Sequence, residues 1–180
     1  MHKGLRLIIV LGVIALLSGG ILAKTYEITA PTMREVALEN QKKAIFEVLP
    51  EIKDYREFNN DQGLLIYEGL DDSGNVAGLA FVAEGGGFQG VIRMMVGIDL
   101  KNKKMTGYKV LEHLETPGLG ARITEDGFKK QFSDKSLNDA FAIREDIIPI
   151  TGATISSNAV SKILKESIDK TLAVYGGEAK

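Results

Sequence analysis

Residues 63–85, GLLIYEGLDDSGNVAGLAFVAEG, and residues 91–113, VIRMMVGIDLKNKKMTGYKVLEH, decide how this chain folds. The first places two strand-like apolar runs around the turn-rich DDSGN, a hairpin signal, and the second repeats the pattern with KNKK as its turn. Residues 64–113 are therefore expected to form a mostly antiparallel sheet. Downstream come a Pro/Gly loop, a short helical piece near EDGFKKQFSD, an extended run through FAIREDIIPI and a last helix from about Ser157 to Tyr175. That helix spaces Val160, Ile163, Leu164, Ile168 and Leu172 three and four residues apart, giving one face to pack on the sheet. The fold class is α+β.

Upstream, Leu5 to Ala23 is apolar or small except for Arg6, Ser18 and the glycines, with Lys3 and Arg6 as a positive flank. A bilayer span needs about 20 such residues, whereas a signal peptide has a shorter apolar stretch ending in a small-x-small cleavage site. ILA is a poor cleavage site, which favours a retained anchor, and the positive flank then directs the rest of the chain out of the cytoplasm. PTMREVALENQKKAIFEVLPE, from Pro31, reads as a stalk or outer helix with Val36, Ile45, Val48 and Leu49 as apolar contacts, closed by Pro50. The expected organisation is a cytoplasmic N-terminus and transmembrane anchor over 1–25, a helical stalk and connector over 26–62, and an extracytoplasmic domain over 63–180.

Composition narrows the chemistry. The chain has 180 residues, 44% hydrophobic and 26% charged, which suits one domain with a real core. With no cysteine it holds no lipid-modified N-terminal Cys, dithiol redox site or cysteine-ligated iron–sulfur cluster. Three of the 22 basic residues, Lys3, Arg6 and Lys24, lie in residues 1–24 with no acid, so the remainder carries 19 basic against 24 acidic residues, a net of −5. That balance disfavours a nucleic-acid partner, which would require a basic face.

Three short motifs carry candidate chemistry. GGGFQG, Gly85 to Gly90, matches G-x-G-x-x-G, but the dinucleotide fingerprint requires a helix after it, and here VIRMMVGID reads as a strand. A glycine turn between strands is the expectation. HLETPGLGARI, His113 to Ile123, has no second histidine at ligand spacing and reads either as a surface loop or as a ligand-facing turn offering Leu119 beside Thr116 and Glu115. ITGATISSNAV, Ile150 to Val160, places Thr151, Thr154, Ser156 and Ser157 at a helix entrance, where one hydroxyl is enough for a cap. A helix N-terminus preceded by Gly-Ala and surrounded by hydroxyls also suits a phosphate group, because free N–H groups and the helix dipole favour an anion. The physics leaves capping and phosphate binding equally open.

TGATISS, preceded by HLETPGLG and by GGGFQGVIRMMVGID, resembles the FMN-binding domain of the G subunit of Rnf-type ion-translocating electron transport complexes. More distantly it is similar to the C subunit of the sodium-translocating NADH:quinone reductase. The similarity runs from about Gly63 to Tyr175, and the family also has one N-terminal membrane anchor. The resemblance implies FMN held covalently by a phosphoester on Thr154, with room for the phosphate at Gly152 and Ala153. It gives Ser156 and Ser157 the task of capping the helix and binding phosphate oxygens, with Thr151 in the same motif. It places Glu115, Thr116, Leu119 and Gly120 against the flavin, and the turn at Gly86 to Gly90 on the same cleft. One departure is Ile148, at a position where the family usually has an acidic residue, with Glu145 and Asp146 slightly upstream.

The resemblance further implies an electron relay, working with other membrane, flavin and iron–sulfur subunits, in a complex that passes electrons between ferredoxin and NAD while sodium ions or protons cross the membrane. Maturation would use a separate FAD-dependent flavin transferase. The same motifs also suit a stand-alone extracytoplasmic flavoprotein or the related component of the quinone reductase. A non-redox membrane-anchored binding module is the remaining alternative.

Overall fold

A computed structural model describes residues 2–60 and 62–178. The chain divides into two compact units, Met1–Asn40 and Gln41–Lys180. The first is helical and belongs to α1, His2–Val48, whose apolar N-terminal part is long enough to cross a membrane. Pro31 lies inside this helix and does not end it, although it supplies no N–H to the ladder. Val36 is exposed, while Ile45, Val48 and Leu49 are buried in the second unit.

The second unit is built on a meander of five antiparallel strands in the order β1-β2-β3-β4-β5: Asp54–Phe58, Ile66–Leu70, Val76–Gly86, Val91–Asp99 and Lys104–Glu112. The β2–β3 and β4–β5 hairpins are those the sequence marks. In the first, Asp71 closes the turn, its Oδ1 accepting the amides of Ser73 and Asn75. Strand β1, DYREF, is additional; three of its five side chains are charged, and its pairing partner is β2.

Side chains alternate across the pleat, and the β3–β4 register sorts them. Leu79, Phe81 and Ala83 lie opposite Ile98, Val96 and Met94, and all six enter the large core cluster. α3, Thr154–Glu178, contributes Val160, Ile163, Leu164 and Ile168 to that core. Tyr108, Phe128, Phe132 and Phe141 enlarge it, with Phe132 in contact with each of the other three rings. On the opposite sheet face Ala80 and Met95 pack with Ala44, Ile45, Val48, Leu49 and Ile52. Gly97 permits the close approach of this helix end, because a Cβ there would collide with the Val48 carbonyl oxygen.

The stretch FAIREDIIPI is not extended. It folds back on itself, with the amides of Glu145, Asp146 and Ile147 donating to the Ala142 carbonyl and with positive φ at Phe141 and Arg144. α2 is short, Asp126–Lys129, and follows a 3-10 turn at Gly120–Thr124.

Candidate functional site

The β3–β4 turn, the loop after β5 and the start of α3 meet at a cleft of about 310 Å³. Its lining comprises Phe88 from the first segment, Glu115, Thr116, Leu119 and Gly120 from the second, and Gly152 to Ser156 from the third. Each segment is shaped locally. Gly87 N–H donates to the Gly90 carbonyl at 2.7 Å, which closes the turn between β3 and β4 and leaves no helix after the glycine-rich stretch. The Thr116 carbonyl accepts the amides of Leu119 and Ala121, making TPGLG a tight turn that offers the Leu119 side chain. Gly152, at φ +80°, reverses the chain immediately before α3.

α3 begins at Thr154, three residues earlier than the apolar spacing suggests, so Ser156 and Ser157 sit within its first turn. The Ala153 carbonyl accepts the Ser157 amide, the first bond of the helix ladder. The preceding amides of Thr154, Ile155 and Ser156 are first-turn donors without intrahelical acceptors. The four hydroxyls of the motif differ sharply in their partners. Ser157 is fully buried, its Oγ accepting the Ile150 amide at 3.0 Å and donating to the Ala153 carbonyl at 2.9 Å. It does not line the cleft, so it holds the Ile150 backbone instead of facing a ligand. Ser156 lines the cleft, but its hydroxyl is committed to Glu115 Oε2. Thr151 is exposed and outside the lining. Thr154 is half-buried on the cleft, and among the described residues no hydrogen-bond partner meets its hydroxyl.

Glu115, expected as a ligand contact, lines the cleft with its oxygens engaged by the protein. It is 4% exposed, and its Oε1 accepts the amides of Phe88 at 2.7 Å and Gln89 at 3.1 Å. Gly120 is required beside it, since a Cβ there would lie 2.5 Å from Glu115 Oε2 and 2.6 Å from Ser156 Oγ.

The segment leading into the motif is held by a contact that the sequence does not advertise. Gln131 accepts the Ile148 amide at 2.8 Å through Oε1 and donates to the Ile148 carbonyl at 3.1 Å through Nε2. One side-chain amide thus pairs with this backbone as a neighbouring strand would, and the Ile148 side chain is left 76% exposed. Asp146 is engaged elsewhere, accepting the Ala142 amide at 3.3 Å within its own turn.

The cleft residues fit an FMN group. Phe88, Leu119 and Ile155 supply apolar walls for a flat ring system, and the α3 first-turn amides supply donors for a phosphate. Outside the cleft lining, Val91 at the start of β4, Leu114 and Ile148 are also exposed.

Residues 87–169 match the family described as the FMN-binding domain. Over 180 residues the chain is 36% identical to the G subunit of the ion-translocating oxidoreductase complex of Methanosarcina acetivorans, covering 95% of this chain and 96% of that protein. It is 31% identical over 170 residues to the G subunit of the proton-translocating ferredoxin:NAD(+) oxidoreductase complex of Clostridium ljungdahlii, covering 90% of this chain and 88% of that protein. The crystal structure of Shewanella oneidensis NqrC shares the fold, with a TM-score of 0.51 at 22% identity across 58% of this chain and 55% of that one. An FMN-binding domain built on the three converging segments, and full-length similarity to these proteins, place the chain in the G-subunit family of ion-translocating oxidoreductase complexes.

Proposed function

We propose that this chain carries FMN as a phosphoester on Thr154 and serves as an electron-relay subunit of a membrane complex that couples electron transfer between ferredoxin and NAD to sodium or proton translocation. The observation that carries the reading is the singular position of the Thr154 hydroxyl. Of the four hydroxyls at the motif, it alone both lines the cleft and has no hydrogen-bond partner among the described residues. When bound, FMN supplies one- and two-electron chemistry. Thr154 is an anchor and not an acid or base. Gly152 and Ala153 leave space at the helix start, the α3 amides hold the phosphate oxygens, and Phe88, Leu119 and Ile155 keep water from the ring.

In maturation, a Mg²⁺-dependent flavin transferase would let the Thr154 oxygen bond to the FMN-side phosphorus of FAD as the bond from that phosphorus to AMP breaks, with AMP leaving and the hydroxyl proton passing to solvent. Ile148 stands at the position that is usually acidic, its side chain exposed and its backbone hydrogen-bonded to Gln131, so the transferase meets an apolar side chain there. The apolar segment from Leu5 to Ala23, with Lys3 and Arg6 before it, supports a single-pass anchor in the cytoplasmic membrane with residues 63–180 on the extracytoplasmic side. The other flavin, iron–sulfur and membrane subunits of the complex supply and remove electrons.

The test is intact-mass analysis of the chain co-expressed with a flavin transferase, beside Thr154→Ala. One FMN adduct that survives denaturation in the wild type and is missing from the variant is the expected result. An adduct on both would move the attachment to another hydroxyl, and an adduct on neither would remove the covalent reading.

A further inference from the structure

Among the described residues, Glu115 is the only charged side chain lining the cleft, and it is 4% exposed. Burial of a carboxylate is tolerated when its oxygens are hydrogen-bonded. Here Oε1 accepts the Phe88 and Gln89 amides and Oε2 accepts the Ser156 hydroxyl. Three of roughly four acceptor positions are therefore taken by the protein. Glycines press on both oxygens: a Cβ at Gly87 would collide with Oε1, and one at Gly120 would lie 2.5 Å from Oε2. Among the described residues no ion pair involves Glu115, so neutral donors alone satisfy it. Those donors belong to segments 26 to 41 residues away on either side of it in the chain.

We infer that Glu115 is a positioning residue of the flavin site: its carboxylate fastens the Phe88–Gln89 turn and the first turn of α3 on two sides of the cleft and so fixes the Phe88 wall. The inference rests on the flavin reading above. A group tethered through one phosphoester retains several rotatable bonds, so its ring is immobilised by the walls and not by the tether. Phe88 is 60% exposed and sits on a four-residue glycine turn, with little packing of its own to hold it. Without Glu115 the amides of Phe88 and Gln89 lose their acceptor, and the tip of the turn is held only by the Gly87–Gly90 bond.

The test uses the full-length chain in detergent as wild type, Glu115→Gln and Glu115→Ala. The Gln side chain keeps the bracket, since its carbonyl accepts both amides and its NH₂ group donates to Ser156; Ala removes it. Hydrogen exchange on protein made without the transferase reads the turn directly. Exchange over residues 87–90 is expected to be similar in wild type and Glu115→Gln and at least tenfold faster in Glu115→Ala, with β4 and β5 protection unchanged. On FMN-loaded protein, flavin fluorescence anisotropy is expected to fall in Glu115→Ala and to be retained in Glu115→Gln. Wild-type exchange at the turn in Glu115→Ala, acceleration spread equally through β4 and β5, or unchanged anisotropy would each overturn the inference. A wild-type chain that takes no FMN would instead overturn the flavin reading, and the exchange data would still decide whether Glu115 holds the turn.

Discussion

Ser156 and Ser157 are chemically identical neighbours with different tasks, and their substitution separates those tasks. Ser157→Ala leaves the buried Ile150 amide without its side-chain acceptor, a loss of about 1–3 kcal/mol. The denaturant midpoint should fall accordingly while the FMN adduct still forms, because the hydroxyl is not on the cleft. Gly120→Ala acts in the opposite place. Its methyl group must displace Glu115 or Ser156, both within 2.6 Å of the new Cβ. Reduced FMN loading by intact mass is the expected outcome, with far-UV circular dichroism retained. Full loading of Gly120→Ala would mean that the cleft yields more readily than its packing implies.

At the scale of elements, α3 is secured at both ends. Its N-terminal turn is joined to the cleft loops through Ser156 and Glu115, and near its C-terminus the Tyr175 hydroxyl donates to Glu68 Oε1 at 2.8 Å. Glu68 is buried on β2 and also accepts from Arg56 on β1, while the Tyr175 ring packs on Phe58 at 5.0 Å. Burial, reinforced by the hydrogen bond to Glu68, pushes the Tyr175 phenol up to about 12. The fold thus holds the phenol protonated more firmly than the unfolded chain, where it titrates near pH ~10. The associated stability is complete below that pH and is lost as pH rises through about 12. Tyr175→Phe should lower the unfolding free energy by about 1–2 kcal/mol at neutral pH and flatten this part of the alkaline decline. An unaltered decline would assign it to other groups.

The end of α1 is a second structural element of the folded unit. Ile45 is 1% exposed among Ala44, Val48, Leu49, Ala80 and Met95. Ile45→Ala should cost about 2–4 kcal/mol by lost burial and a residual cavity, read as a lower thermal midpoint. An exposed apolar position in the first unit, such as Val36, should show no such loss when replaced by Ala.

At the scale of the molecule, the apolar segment that is long enough to cross a membrane lies outside the folded second unit. Deletion of residues 1–24 removes the apolar segment and leaves the folded unit, which begins at Gln41. The shortened protein should appear in the soluble fraction with the melting transition of the full chain. Retention in the membrane fraction would reveal a second attachment.

Local pattern was enough to read the β2–β3 and β4–β5 hairpins, because alternation and turn chemistry act between near neighbours. It was also enough for the amphipathic α3 and the apolar N-terminal segment. β1 was not legible: Asp54, Arg56 and Glu57 obscure its alternation, and the strand exists through pairing with β2. Pro31 reads as a boundary, yet the helix continues through it. FAIREDIIPI has strand-like composition, but the Ala142 carbonyl gathers three downstream amides and bends it into a turn. The three motifs and their hydroxyls were visible in the sequence, as candidates for one site. Which hydroxyl lines the cleft without a partner, and that the Glu115 oxygens are engaged by Phe88, Gln89 and Ser156, was decided only by the tertiary structure. Successive helix residues are rotated by about 100°, and only the packing of α3 on the sheet determines which of those directions meets the loops delivered from β3–β4 and β5.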